Sequence, residues 1–108
     1  MGLDQQAYAI KGDKSVEIAV WRKHANLEGW MAELYKSRGG TRVFNCIDLK
    51  LEKADILKLE EEYLHLRSAS GFFWGNSTEL DNRKTKEFID KAKSYLCDGY
   101  EIIYSSWW

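Results

Sequence analysis

Hydrophobic and polar residues change rhythm several times along this chain, and each change predicts an element. Residues 5–11 alternate small or apolar with polar side chains, as a first strand does. Gly12-Asp13-Lys14 reads as a turn, after which Ser15 is placed to cap a helix over 16–24 with Val16, Ala19, Val20 and Lys23 along one stripe. Leu27, Trp30, Met31 and Leu34 repeat at helical spacing to about residue 37, with Asn26 as cap and Gly39-Gly40 as stop. Residues 43–51 read as the clearest strand: Val43, Asn45, Ile47, Leu49 and Leu51 share one face, while Phe44, Cys46, Asp48 and Lys50 share the other.

Ile56, Leu59, Tyr63 and Leu66 predict a helix over 53–67, and Phe88, Ile89, Ala92, Tyr95 and Leu96 predict another over 80–97. Between them, Gly71 and Gly75 flank Phe72, Phe73 and Trp74, the pattern of a short strand or bulged loop within 68–77. Asp98-Gly99 then turns the chain into a last strand, 100–107. The expected architecture is a single α+β domain over 1–108, a small, mainly antiparallel sheet of three to four strands with about four helices packed against it.

Composition narrows the class without naming a chemistry. At 108 residues, 44% hydrophobic and 31% charged, the chain can bury a core without staples. Sixteen basic residues against seventeen acidic ones give no global pull toward nucleic acid. No apolar run approaches the ~20 residues that cross a bilayer, and Met-Gly-Leu-Asp-Gln-Gln lacks the basic and apolar regions of a signal peptide. The cytoplasm is therefore the expected compartment. Cys46 and Cys97 stand 51 positions apart, which makes neither a metal cage nor a disulfide framework. No cofactor is implied, and nucleotide, metalloprotease and hydrolase motifs are absent.

Three clusters carry what chemistry there is. Trp21-Arg22-Lys23-His24, with Trp30 close behind, offers cations and an indole to a phosphate or carboxylate, although a helix C-terminus would also attract those cations. Asn45, Phe73, Trp74 and Asn76 combine a polar amide on an apolar face with aromatics between glycines. That suits either a loop clasp or a polar group orienting a ligand. In the third cluster, Tyr104, Trp107 and Trp108, alternation lets one face enter the core while the other presents an aromatic surface. Were strands 43–51 and 100–107 sheet neighbours, Asn45 would lie near this last cluster.

The opening Met1-Gly-Leu-Asp, Glu17-Ile-Ala-Val-Trp-Arg-Lys-His24, Gly29-Trp30, Phe44-Asn-Cys46, Ser70-Gly-Phe-Phe-Trp-Gly75 and Tyr104-Ser-Ser-Trp-Trp108 together form a pattern. It resembles a family of small uncharacterised proteins encoded by tailed bacteriophages and prophages. Some of these carry a phosphoglycerate-kinase label, which a chain too short for that two-domain enzyme does not support. This chain departs from the pattern at Gln5-Gln6 and at Val20. The resemblance implies a phage or prophage origin and action in the bacterial host cytoplasm, and it carries over no catalytic residues. The leading expectation is a non-catalytic accessory protein that binds a bacterial host protein and inhibits or redirects it, with counter-defence as the setting. A nucleotide-type small ligand is the alternative, with Trp21, Trp30 or Trp74 stacking on the base. A small enzyme using His24 or Cys46 is a third option, and a homo-oligomer is left open.

Overall fold

The computed structural model describes residues 2–66 and 79–108. In chain order it comprises β1 (Asp4–Lys11), β2 (Lys14–Arg22), α1 (Ala25–Ser37), β3 (Asp48–Leu51), α2 (Lys53–Glu62), a 3-10 turn (Tyr63–His65), α3 (Glu79–Cys97) and β4 (Glu101–Trp107). The class is α+β as expected, with a four-stranded sheet in the order β2-β1-β4-β3. Every neighbouring pair in it is antiparallel. Three α-helices, rather than about four, accompany it among the described residues.

The missing helix is β2. Residues 16–24 were expected to be helical, yet Lys14–Arg22 pairs along the whole of β1. Gly12-Asp13 forms a two-residue hairpin loop with Gly12 at φ +60°, the positive φ that a II′ turn needs at its first central position. A bulge explains why the alternation is hidden. Ala7 pairs Ala19 while Tyr8 pairs Glu17, so Ile18 is an extra residue and the inward positions shift by one. Ile18 and Trp21 are buried, three positions apart, which imitates a helical stripe. Ser15 caps nothing; it sits opposite Ile10 in the hairpin.

The strand expected over 43–51 keeps only Asp48–Leu51. Cys46, at φ +59°, breaks the extended backbone, and Asn45 N–H closes back on the Val43 carbonyl at 2.8 Å. The facing rule fails there: Phe44 is buried and Val43 is 70% exposed. Helix 53–67 is shorter than expected, because α2 gives way to the 3-10 turn and Leu66 is already extended. α1 begins at Ala25 with His24, not Asn26, in the cap position. The loop or strand expected over 68–77 lies outside the described residues.

All helices whose packing is described cover one face of the sheet. Trp21 is its centre: fully buried, edge-on to Phe88 of α3 at 5.2 Å, with its indole N–H on Thr85 Oγ1 at 3.1 Å. The polar end of that ring thus finds a partner on α3, as a buried indole requires. Leu27 and Met31 of α1, Leu49 and Leu51 of β3, Ile56 and Leu59 of α2, and Ile89 and Ala92 of α3 close the core around Ala7, Ala9, Ile102 and Tyr104. Arg38 ion-pairs with Asp55, joining the end of α1 to the start of α2. No described helix is long and apolar enough to cross a membrane.

After α1 the chain reverses through Gly39 at φ +85°, and Gly40 lies against the Tyr35 ring, which packs tilted against Phe44 with ring centroids 5.2 Å apart. A Cβ at Gly40 would fall 2.4 Å from that ring, so the ring and the aromatic contact behind it would have to move. Gly40→Ala is expected to destabilise by about 1–3 kcal/mol in urea unfolding, the usual cost of overpacking. An unchanged midpoint would show that Tyr35 yields freely.

Candidate functional site

The segment Trp21–His24 leaves the sheet and enters a helix within four residues, and the backbone decides where each side chain goes. Trp21 points into the core and Arg22 to the opposite face, where it pairs with Asp4 at 3.4 Å. Lys23 takes φ +59° to turn the chain, its N–H on the Leu3 carbonyl at 2.9 Å. His24 is then buried, with its N–H on Gln5 Oε1 at 2.9 Å. The expected aromatic and basic cluster is therefore dispersed over two faces of the sheet.

A buried polar lattice occupies the inner side of the same corner. Gln5 Nε2 donates to the His24 carbonyl at 3.1 Å and to Tyr104 Oη at 2.9 Å. Tyr104 Oη donates to Glu28 Oε1 at 2.7 Å, and Ser106 Oγ donates to Glu28 Oε2 at 2.9 Å. Gln5, Glu28 and Tyr104 are completely buried. Burial holds the Glu28 carboxyl above the ordinary carboxylate range, against the pull of hydrogen bonds from Tyr104, Ser106 and Trp108. Burial and the nearby Glu28 push the Tyr104 phenol well up. Burial lowers the His24 imidazole, opposed by Asp81. These groups have the perturbed acidity of reactive residues but no solvent access, and they act as a knot between α1, β1 and β4.

The end of β4 is fastened next to this knot. Asn45 holds Trp108 at two points, its Nδ2 on the Trp108 main-chain oxygen and its Oδ1 under the Trp108 N–H, both at 3.0 Å. The Trp108 indole N–H reaches the Phe44 carbonyl at 3.1 Å. Cys46 N–H adds a bond to the Ser106 carbonyl at 2.8 Å. The neighbourhood of β3 and β4 does bring Asn45 to the tail, where it clasps backbone.

With Trp108 and Ser106 fastened, alternation turns Trp107 to the outer face of the sheet, where it is 40% exposed. Strand registers place Asp4 beside it, Val20 beside Gln6, and Tyr8 beside Ile103. Val20 is 42% exposed. Two ion pairs lie on this face, Arg22 with Asp4 and Lys50 with Glu101 at 3.3 Å. Tyr8 is raised by partial burial and then by Glu17 and Asp48. This outer face combines exposed aromatic and aliphatic groups with the acids Asp4, Glu17, Asp48 and Glu101 and the bases Arg22 and Lys50, both of which are ion-paired.

Trp30 is in a different place. It borders a groove of about 500 Å³ between α1 and the α2 to 3-10 segment, together with Asn26, Gly29, Glu33, Leu34, Ser37, Lys58, Glu62, His65 and Leu66. Its indole N–H donates to Glu62 Oε1 at 3.2 Å.

Of the residues singled out from sequence, Tyr104, Asn45 and Trp108 come together with the backbone of His24 around the knot. Trp21 is core, Arg22 and Trp107 share the outer face, and Trp30 stands apart in the groove. Phe73, Trp74 and Asn76 lie outside the described residues. Sequence reading missed Gln5 and Glu28, and it placed Ser106 on the face of Tyr104 and Trp108 without giving it a role. Glu28 was detectable in principle, since it is an acid one position from Leu27 and three from Met31 on an inward helical stripe. No group of residues able to hold a metal ion occurs among the described residues. Comparison with protein-family models, curated proteins and solved structures finds no match for this chain.

A carboxyl whose pKa is raised by folding binds protons more tightly in the folded chain than in the unfolded one. Its contribution is greatest at low pH and is lost as pH rises through the raised value. Glu28→Gln removes this dependence and keeps an acceptor for one hydroxyl, so its stability relative to the unsubstituted chain should improve as pH rises above the ordinary carboxylate range. Urea midpoints from pH 4 to 9 check it, and parallel profiles would contradict it. Tyr104→Phe leaves Gln5 and Glu28 each short of a partner and should cost about 1–3 kcal/mol in the same assay.

Proposed function

We propose that this chain is a binding protein that docks another protein on the outer face of its sheet, with Trp107 as the principal anchor. The observation that carries this reading is Trp107, exposed on a strand fastened on its inner side, with Val20 and Tyr8 on the same face, over which no described helix packs. Fixing the backbone that carries an aromatic side chain before binding lowers the ordering cost of association, and Trp and Tyr recur as interface anchors. The ion-paired state of Arg22 and Lys50, beside the acids Glu17 and Asp48, argues for a protein partner over nucleic acid, because a nucleic-acid surface needs unpaired cations. The phage-family resemblance brings in the target class: a bacterial host protein, with a defence component as the leading candidate, which the bound chain inhibits or redirects.

The nucleotide alternative has less behind it. Among the described residues it would use, Trp21 and His24 are buried, Arg22 is on the outer face and Trp30 stands in the groove, so they share no concavity; Trp74 lies outside the described residues. The enzyme alternative has similarly little, with His24 inside and Cys46 exposed.

Affinity purification from bacterial host extracts tests the reading when the unsubstituted chain is compared with a Trp107→Ala, Val20→Lys double variant. Both sites are exposed, so the fold should survive. A single host protein retained in stoichiometric amount by the unsubstituted chain and reduced at least tenfold by the variant is the expected result. Equal retention by both, or no retained protein in any host, contradicts it.

A further inference from the structure

The groove between α1 and α2 lies on the helical side of the molecule and is independent of the outer-face reading. Its walls combine the Trp30 indole, the aliphatic Leu34 and Leu66, and the carboxylates of Glu33 and Glu62. The Trp30 indole N–H fixes the Glu62 carboxylate at the edge of the ring. Neither Glu33 nor Glu62 joins an ion pair among the described residues, although Glu52, Asp55, Glu60, Asp90, Glu101 and Asp4 all do. Among the described residues the lining sets two carboxylates, Glu33 and Glu62, against one ammonium, Lys58, with His65 as a further ionisable group.

We propose that this groove binds a small aliphatic amine of the linear diamine or polyamine class. Its methylenes would run along Trp30, Leu34 and Leu66, and its ammonium groups would meet Glu33 and Glu62. Three physical features favour this chemistry over a phosphate-bearing ligand. A volume of about 500 Å³ is in the range of small-molecule sites. An indole wall attracts an ammonium through its ring face and an alkyl chain through its apolar surface. Two carboxylates without ion-pair partners among the described residues supply charge-assisted acceptors, whereas an anion would be repelled by both.

Lys58 makes the proposal sharp. It stands one helical turn before Glu62 and is exposed, so it competes with a bound ammonium for the carboxylate and would assist a bound anion. Lys58→Ala should therefore tighten amine binding by up to about fivefold, the scale of an exposed charge interaction. A nucleotide would instead be weakened by the same change.

Isothermal titration calorimetry with spermidine, putrescine, 1,4-butanediol and AMP provides the test, with melting temperatures as a check on folding. The expected result is binding of an amine but not of the diol or AMP. That binding should be weakened fivefold or more by Glu33→Gln and by Glu62→Gln, tightened by Lys58→Ala, and weakened as salt is raised. Glu62→Gln retains an oxygen for the Trp30 indole, and Glu33 and Lys58 are exposed, so the variants should melt near the unsubstituted chain. Absence of amine binding at millimolar concentration overturns the proposal. So does equal binding of the diol or AMP, or a loss of amine affinity in Lys58→Ala.

Discussion

The carboxyl of Glu28, buried beneath the sheet and held by the hydroxyls of Tyr104 and Ser106, is the contact on which the rest of the arrangement depends. It fastens the first turn of α1 to the far end of β4, across 76 and 78 positions of sequence. Gln5 extends the knot into β1, gripping both the N–H and the carbonyl of His24 where the chain passes from β2 into α1. A buried carboxyl without these partners would be strongly destabilising, and the hydroxyls without the carboxyl would be stranded. The lattice therefore specifies one seating of the helix on the sheet, where apolar contacts alone would tolerate several.

This seating has consequences on the other side of the sheet. β4 is central, so its alternate residues must face opposite ways: Ile102, Tyr104 and Ser106 inward, Ile103, Ser105 and Trp107 outward. Fixing the inward set at Glu28, and Trp108 at Asn45, presents Trp107 outward without requiring any contact of its own. The bulge at Ile18 works similarly on β2, returning Val20 and Arg22 to the outer face while Trp21 enters the core. Outer-face chemistry is thus set by inner-face packing, which links the fold to the proposed docking surface.

Elements with one dominant signal were legible in the sequence. α3 and β4 were found nearly to the residue, because a long amphipathic stripe and a glycine at φ +84° after it leave little ambiguity. The α+β class was accessible for the same reason, whereas the β3–β4 neighbourhood was only a condition in the sequence, because pairing of distant strands leaves no local signal. β2 was not, because a one-residue bulge converts period two into a spacing that imitates a helix. The 43–47 stretch failed because nothing in Cys46 advertises a left-handed backbone. The clusters fared unevenly for a geometric reason. Consecutive residues such as Trp21, Arg22 and His24 are adjacent in sequence but diverge at a strand end, whereas Gln5, Glu28, Tyr104 and Ser106 converge only through pairing of distant strands.

The account rests on Glu28 being a fully desolvated carboxyl shared between two hydroxyls, so its own titration is the most direct measurement. Side-chain carboxyl carbon resonances followed by NMR from pH 3 to 9 would resolve it from the exposed acids. The predicted result is a Glu28 midpoint above the ordinary carboxylate range, with the ring signals of Tyr104 and the amide of Ser106 moving along the same curve. A Glu28 midpoint at the ordinary value, with Tyr104 and Ser106 unaffected, would mean that the knot does not form and that Trp107 is not held outward by it.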